Sequence, residues 1–294
     1  MHILLALTTF FDLHHRGPWD KVRSTALNAV AFHLYHGVTL FHAKLSGAGI
    51  DPEKENIDDL WASAAFIASS VFADISATSI SEAWPLTPAV PSPTDLDWLK
   101  LTGGKQAVWK LVNPTRRGSR IAEAAPPCVE YFVNPTISAD FYIANLPTGF
   151  IRLYGLTKSS ALRNNPYHGP ATVLAQILPL DDLEASPKNV PKFLSFISGP
   201  DPRFVNLLQI RDPRALLLLA YWYAKAVQYK SQWWLVGRAS LEGAAICVFL
   251  ERECGGDRDI MELVASPKAA FAAFFEDKEH AASGLRKVHW QQAP

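Results

Sequence analysis

The stretch from residue 213 to residue 250 constrains the fold of this chain more than any other part of the sequence. Asp212 and Pro213 form a helix-start signal, because Asp caps a helix N-terminus and Pro is tolerated at the first helical position. The residues after them are apolar on nearly every side, and a second apolar run extends from Gln232 to Leu250. Helices that are apolar all round are buried. The stretch therefore predicts two core helices at the centre of a helical domain.

Helix signals also occur on both sides of this stretch. Apolar residues recur at three- and four-residue steps, which is the spacing of one helical face, and Asp51, Pro52 and Glu53 form another helix-start signal. Neither an internal repeat nor the strand–helix alternation of α/β proteins is visible. We therefore predict an all-α fold, a single domain over residues 1–294, with further helices at 3–13, 19–45, 52–79, 94–111, 190–198, 257–264 and 268–279.

Two proline-rich stretches interrupt the helical pattern. Residues 84–93 carry four prolines and predict an extended connection, because proline ends or kinks a helix. Residues 113–190 carry prolines throughout, separated by short aromatic runs, and only 167–178 has a helical pattern. We predict that about 113–190 is an irregular insertion packed on the helical body.

Composition argues against nucleic-acid binding by this chain. Lys and Arg together number 28, as do Asp and Glu, whereas a chain that binds DNA usually has a basic face. The one basic cluster, Arg116, Arg117 and Arg120, is typical of a solvated loop. No glycine-rich nucleotide loop and no G-x-S-x-G elbow occurs. We expect neither a cofactor nor direct contact with nucleic acid.

The sequence also lacks a recognisable metal site. His33 and His36 are three residues apart, which is a weak chelating spacing. The acidic pairs at 58–59 and 181–182 lack the second magnesium motif of metal-dependent terpene cyclases. The three cysteines, Cys128, Cys247 and Cys254, cannot all pair, which favours a reducing compartment. We expect no bound metal.

No targeting or membrane segment is predicted. The apolar start, residues 1–7, lacks the positive region and the cleavage site of a secretory signal. No run reaches the ~18 consecutive apolar residues of a membrane span. We expect an intracellular protein, in the cytoplasm or the nucleus.

Polar groups inside apolar helices are the candidate catalytic residues, namely Tyr221, Asp74 and His36. A buried carboxylate needs a partner or a raised pKa, but water at the helix end or ordinary packing explains each group as simply. The candidate ligand-binding residues are large aromatics expected to converge from the central and C-terminal helices: Phe72, Trp109, Tyr221, Trp222, Trp233 and Trp234. Since Trp233 and Trp234 point about 100° apart on a helix, at most one of them faces a common pocket.

Several segments together resemble a known family. Residues 1–8 (MHILLALT), 26–46 and 56–75 are similar to successive helices of the C-terminal regulatory domain of fungal zinc-cluster (Zn₂Cys₆) transcription factors, sterol uptake control type. Residues 212–222 (DPRALLLLAYW) resemble its "dp.aLvlLAyy" segment, and 233–238 (WWLVGR) resemble its "WWl.Gw" signature. The resemblance covers roughly 1–112 and 190–275. The six-cysteine zinc cluster of the family is absent.

The resemblance implies an all-α fold, often a homodimer, with a pocket for a sterol- or terpenoid-like molecule. It leaves three functions open, the last of which is a co-regulator that binds no ligand. The first is a ligand-binding sensor without DNA binding. The second is a stand-alone enzyme of fungal secondary metabolism, a metal-independent cyclase or pericyclase (Diels–Alder type) that acts on a terpenoid or polyene. Such catalysis needs mainly substrate orientation and one or two hydrogen-bond donors.

Overall fold

The computed structural model describes residues 1–16, 23–47, 57–122, 145–156, 164–180, 189–229 and 232–291, with side chains to 278. These residues form eleven α-helices and no strand, which confirms the all-α prediction. A short 3₁₀ turn, Ile80–Glu82, follows the third helix. In chain order the helices are α1 (His2–Arg16), α2 (Arg23–Ser46), α3 (Asp58–Ala73), α4 (Asp97–Val112), α5 (Thr148–Tyr154), α6 (His168–Ile177), α7 (Asn189–Leu194), α8 (Pro202–Gln209), α9 (Pro213–Ala226), α10 (Trp233–Glu253) and α11 (Arg258–Gln291).

Helix α9 is the centre of the main core, as the apolar pattern predicts. Its residues from Ala215 to Ala220 are fully buried, and the helix packs against α6, α8, α10 and α11. The Asp212 carboxylate caps the helix by accepting a hydrogen bond from the Ala215 backbone N–H at 2.9 Å. The same carboxylate oxygen accepts a 2.9 Å bond from the Tyr167 hydroxyl. The predicted helix-start signal is therefore confirmed.

The N-terminal helices form a separate layer. Ile3 lies against Gly37, whereas Phe10 and Leu13 pack with Val30, so α1 and α2 run antiparallel. Helix α3 lies across α1, α4 and α10 and connects this layer to the main core. A further small core, between α3 and α4, contains Ile57, Leu60, Ala64, Val108 and Val112.

Two predicted helix boundaries are wrong. The third helix ends at Ala73 instead of continuing to residue 79, because Asp74 adopts an extended conformation and Arg238 binds carbonyl groups of the last turn. The last two predicted helices form one helix, α11, which continues through Pro267. Apolar residues before and after this proline, such as Val264 and Phe271, pack on the same core, which keeps the helix in register. The signal at 51–53 lies outside the described residues.

The described parts of the insertion belong to the main core. Phe150 and Tyr154 of α5 and Leu174 of α6 are buried with α9. Helix α5 corrects the prediction that only 167–178 is helical here; its short apolar run becomes a helix by packing on the core. The predicted helix at 167–178 is confirmed as α6. Residues 84–93 form no helix, as predicted, and contain cis peptide bonds before Pro85 and Pro88.

One described helix, α10, is long and apolar enough to cross a membrane by length and composition. Two-thirds of its most apolar window (67%) is buried inside the structure. It packs against α3, α9 and α11, and core helices of soluble proteins commonly have these properties. Burial of Cys247 and partial burial of Cys254, both free thiols, also agree with the interpretation of this helix as part of the core.

Candidate functional site

Three of the six predicted ligand-binding aromatics lie together. The Phe72 ring contacts Trp222 at 6.0 Å and Trp234 at 5.5 Å between ring centroids. Trp98 of α4 joins them 4.9 Å from Phe72, and Tyr223 lies 5.5 Å from Trp222. We call these five residues the aromatic cluster. It joins α3, α4, α9 and α10, and both Phe72 and Trp222 are completely buried.

A buried arginine lies inside the aromatic cluster. The Arg238 guanidinium is 5.5 Å from the ring centroids of both Phe72 and Trp98, within cation–π distance. It forms an ion pair with Glu242 one turn later on α10. It also donates hydrogen bonds to the Phe72 carbonyl at 2.9 Å and to the Asp74 carbonyl at 2.6 Å. These bonds satisfy carbonyl groups that a helix C-terminus leaves free, so Arg238 fastens the end of α3 to α10.

Glu242 links this arginine to Tyr223. The Tyr223 hydroxyl donates a 2.6 Å hydrogen bond to the carboxylate, and both residues are buried. Burial raises the pKa of Glu242, whereas Arg238 and the bond from Tyr223 act in the opposite direction. Because the carboxylate accepts from two donors, the geometry favours its ionised form. The Trp98 Nε1 atom beside this network is buried and has no hydrogen-bond partner among the described residues.

A second buried ion pair stabilises the connection before α4. Arg211 lies 3.5 Å from Asp95 and donates hydrogen bonds to the carbonyl oxygens of Pro88, at 2.6 Å, and Ala89, at 3.0 Å. Both side chains of the pair are 6% exposed. This arrangement holds the proline-rich connection against the turn between α8 and α9, which is a structural role.

The other three predicted aromatics lie in different places. Trp109 contacts Trp61 at 5.5 Å between α3 and α4. The Tyr221 ring contacts Phe150 at 4.8 Å, and its hydroxyl donates to the Leu263 carbonyl at 2.7 Å. Trp233 contacts Phe11 of α1 at 5.5 Å. Trp233 and Trp234 thus face different neighbours, in agreement with their 100° separation.

The three candidate catalytic residues also lie in different parts of the structure and do not form a shared site. Burial raises the pKa of Tyr221 to about 12, so its hydroxyl stays protonated near neutral pH. Asp74 follows the last residue of α3 and is exposed. Desolvation raises the pKa of its carboxyl group above the ordinary value, and Arg238 offsets part of this rise. His36 lies on α2 beside Phe32, with ring centroids 4.3 Å apart.

The basic cluster is only partly solvated. Arg116 forms a 2.8 Å ion pair with Asp58, at the start of α3, and its side chain is 17% exposed. The Asp58 carboxylate also accepts from the Ser119 hydroxyl and the Arg120 backbone N–H. Arg117 and Arg120 are exposed, as the prediction of a solvated loop requires, and Arg116 is the exception.

An open cleft lies between α1, α2 and α3. It has a volume of about 160 Å³. Ile3 and Gly37 both line it, and α1 and α2 approach so closely there that a Cβ atom at Gly37 would lie 2.5 Å from the Ile3 side chain. Lys44 and Asp59 form a 3.1 Å ion pair at its edge. The lining residues are Met1, His2, Ile3, Gly37, Leu40, Phe41, Lys44, Asp59, Leu60 and Ser63.

Sequence reasoning missed this cleft. Its one available signal is Gly37, an isolated glycine inside the helical pattern of α2, which often has a packing reason. In the part of the chain that the structure describes, no group of three or more His, Cys, Asp or Glu side chains could hold a metal ion.

Comparison with known proteins identified no relative of this chain. No protein-family model, no curated protein and no solved structure matches this chain. The resemblance to the regulatory domain of zinc-cluster transcription factors stays a prediction.

Proposed function

We propose that this chain binds a hydrophobic small molecule with one polar end, of sterol-like or terpenoid-like chemistry, in the cleft between α1, α2 and α3. The observation that carries the proposal is the composition of the cleft. Ile3, Leu40, Phe41 and Leu60 supply apolar walls, and a few polar groups lie at the edge. Ligand sites typically combine apolar walls with a small number of placed polar groups.

The size of the cleft indicates how such a ligand would bind. At about 160 Å³ the cleft is smaller than the ~300–1,000 Å³ typical of ligand pockets, so it holds one end of the molecule. Leu40 is part of the wall and is 62% exposed, and Phe32, on the same helix, is 54% exposed. The remainder of the ligand would cover this apolar surface of α2.

The polar end of the ligand has partners at the cleft edge. Lys44 and Asp59 offer a donor and an acceptor on solvated side chains, and the Ser63 hydroxyl can act as either. This combination of groups suits a hydroxyl group at the polar end of the ligand. The aromatic cluster is a less suitable site for the ligand, because Phe72 and Trp222 are completely buried against their neighbours.

A fluorescent sterol tests the proposal. We expect dehydroergosterol to bind the purified chain saturably, measured by energy transfer from tryptophan to the sterol. Leu40→Ser should weaken binding about tenfold, since burying a leucine side chain contributes ~1.5 kcal/mol or more. Leu27→Ser is the matched control, because Leu27 is an exposed leucine of α2 that does not line the cleft. Equal weakening by both variants, or no saturable binding, would contradict the proposal.

The enzyme is the second candidate, and the Trp98 Nε1 atom is the hydrogen-bond donor that it would use. In the described part of the chain this atom has no hydrogen-bond partner, and aromatic rings surround it. Trp98 is only 3% exposed, so a substrate would reach it only after the side chains around it move apart. A pericyclase needs such a donor and a shaped apolar wall, and its reaction only isomerises the substrate. The test is incubation of the chain with a conjugated polyene that carries a tethered alkene, with EDTA present. A new isomer of unchanged mass, lost in Trp98→Phe, supports this function, and its absence argues against it.

Two expectations from the sequence remain predictions. Sedimentation velocity of the purified chain tests the homodimer. Imaging of a tagged chain tests an intracellular location, in the cytoplasm or the nucleus.

A further inference from the structure

Two histidines from different helices meet at one edge of the cleft. His2 lies in the first turn of α1 and His33 in the middle of α2, and their Nδ1 atoms are 2.9 Å apart. The contact follows from the antiparallel packing of the two helices, which the close approach of Ile3 to Gly37 maintains. Neither imidazole is fully buried, so water and small ions reach both.

The paired nitrogens limit the protonation of the two rings. A hydrogen bond between two imidazole nitrogens needs one donor and one acceptor, so at least one ring is neutral at its Nδ1. A neutral imidazole nitrogen is the form that binds a metal ion. The pair therefore places two imidazole nitrogens, one from each helix, side by side.

The separation of the two nitrogens, which is that of a hydrogen bond, is also compatible with two adjacent positions on one metal ion. Metal–imidazole bonds are about 2.0–2.1 Å long. Two such bonds separated by about 90° place their nitrogens about 2.9 Å apart, whereas a tetrahedral angle places them about 3.4 Å apart. The observed distance is 2.9 Å. It matches adjacent positions of a square-planar or tetragonal ion, and Cu²⁺ and Ni²⁺ prefer this geometry with nitrogen and oxygen ligands.

We propose that His2 and His33 chelate a tetragonal divalent transition-metal ion, Cu²⁺ or Ni²⁺, through their Nδ1 atoms, with water completing the coordination. This site departs from the expectation of no metal, which rested on the spacing of His33 and His36 along one helix. The ligand pair is 31 positions apart in the chain, so no local spacing could reveal it. The proposal is independent of the sterol-like ligand.

The charges around the histidine pair are compatible with a bound cation. Lys44 in the same cleft is paired with Asp59 at 3.1 Å, so its charge is largely compensated. The His36 ring centroid lies 5.5 Å from that of His2, so a third imidazole lies near the pair. The N-terminal amine is the remaining nearby cation.

Copper titration of the full chain at pH 7.5 in a non-chelating buffer tests the site, with a chromophoric chelator as competitor. We expect one tight equivalent, with at least two nitrogen ligands in the Cu²⁺ electron paramagnetic resonance spectrum. His2→Ala and His33→Ala should each weaken it by at least about tenfold, because a chelate loses one of two protein ligands. His42→Ala, an exposed histidine of α2 away from the pair, should bind as the parent does.

Two results would overturn the proposal. Binding that survives His33→Ala but not His2→Ala would assign the ion to the N-terminal amine and His2, and not to an interhelical site. Equal binding in all variants would assign it to scattered surface histidines. His33→Gln, which keeps a hydrogen-bonding side chain, and circular dichroism of each variant exclude loss of fold as the cause.

Discussion

The aromatic cluster and the antiparallel helices α1 and α2, which we call the α1–α2 hairpin, differ in how far their apolar and charged side chains are exposed. In the cluster, every ring packs on another, and Arg238 and Glu242 are less than a tenth exposed. In the hairpin, large apolar side chains face solvent, with Tyr35 70% and Leu40 62% exposed, and the Lys44–Asp59 ion pair is solvated. The cluster thus stabilises the fold, whereas the hairpin leaves an exposed apolar surface, which the proposed ligand binding requires.

Removal of Arg238 should have the largest effect on stability. Arg238→Ala leaves Glu242 as an uncompensated buried charge and frees the carbonyl groups at the end of α3, so we expect a loss of about 3–5 kcal/mol in the free energy of unfolding. Urea denaturation followed by circular dichroism measures it. The double variant Arg238→Met, Glu242→Leu should recover much of the loss; if it does not, the ion pair is not the cause.

Asp58 should make stability depend on acid pH. Burial acts to raise the pKa of this carboxyl group, but hydrogen bonds from Arg120, Ser119 and Arg116 outweigh it, and the pKa lies below its ordinary value of 3.8. A lowered folded-state pKa stabilises the fold above pH about 4, and the contribution disappears as pH falls through the folded-state value. We expect Asp58→Asn to cost about 1.5–3 kcal/mol at pH 7.

The difference between Asp58→Asn and the parent should shrink steadily below pH 4 in urea denaturation. A constant difference down to pH 2 would contradict the role of the ionised carboxylate. Asp97→Asn is the control, because Asp97 starts α4 on the surface and pairs only with the exposed Lys100.

Two glycines should respond oppositely to alanine. At Gly243 in α10 a Cβ atom would lie 2.2 Å from the Phe271 ring, whereas at Gly104 in α4 it meets nothing within 4 Å. We expect Gly243→Ala to destabilise by about 1–3 kcal/mol through overpacking. Gly104→Ala should stabilise by about 0.5–1 kcal/mol, because alanine favours helix. Melting temperatures measure both, and rescue of Gly243→Ala by Phe271→Leu checks the cause.

The smallest effect should come from the hairpin surface. Tyr35→Ser removes a side chain that is 70% exposed, so we expect a change within about 0.5 kcal/mol in the free energy of unfolding. A loss as large as that of Arg238→Ala would mean that this face of α2 is packed, and the contrast between the two regions would fail.

Most helices could be predicted from the sequence because the signals that start them and define their faces are local. The Asp212–Pro213 start and the apolar run after it lie within one turn of each other, and the structure confirms α9 where they place it. The end of α3 could not be predicted in this way, because its last carbonyl groups accept hydrogen bonds from Arg238, more than 160 positions later in the chain. The two helices predicted at 257–264 and 268–279 form the single helix α11. The packing on both sides of Pro267 involves residues distant in the chain, so no local signal reports it.

The site was less predictable than the fold. Phe72, Trp222 and Trp234 could be grouped because they are large and lie on core helices. No pattern distinguishes them from Trp109, Tyr221 and Trp233, whose rings contact residues outside the cluster, namely Trp61, Phe150 and Phe11. Helical periodicity reports which residues share a face, and it does not report which face of another helix they meet.

By itself the sequence determined the all-α class, the buried α9–α10 pair and the cap at Asp212, because apolar periodicity and capping depend on residues within a few positions. Only the tertiary structure decided that Arg238 fastens α3, that α1 and α2 approach closely at Gly37, and that His2 meets His33. Each of these contacts joins residues more than 30 positions apart, and the packing of whole helices sets their distance.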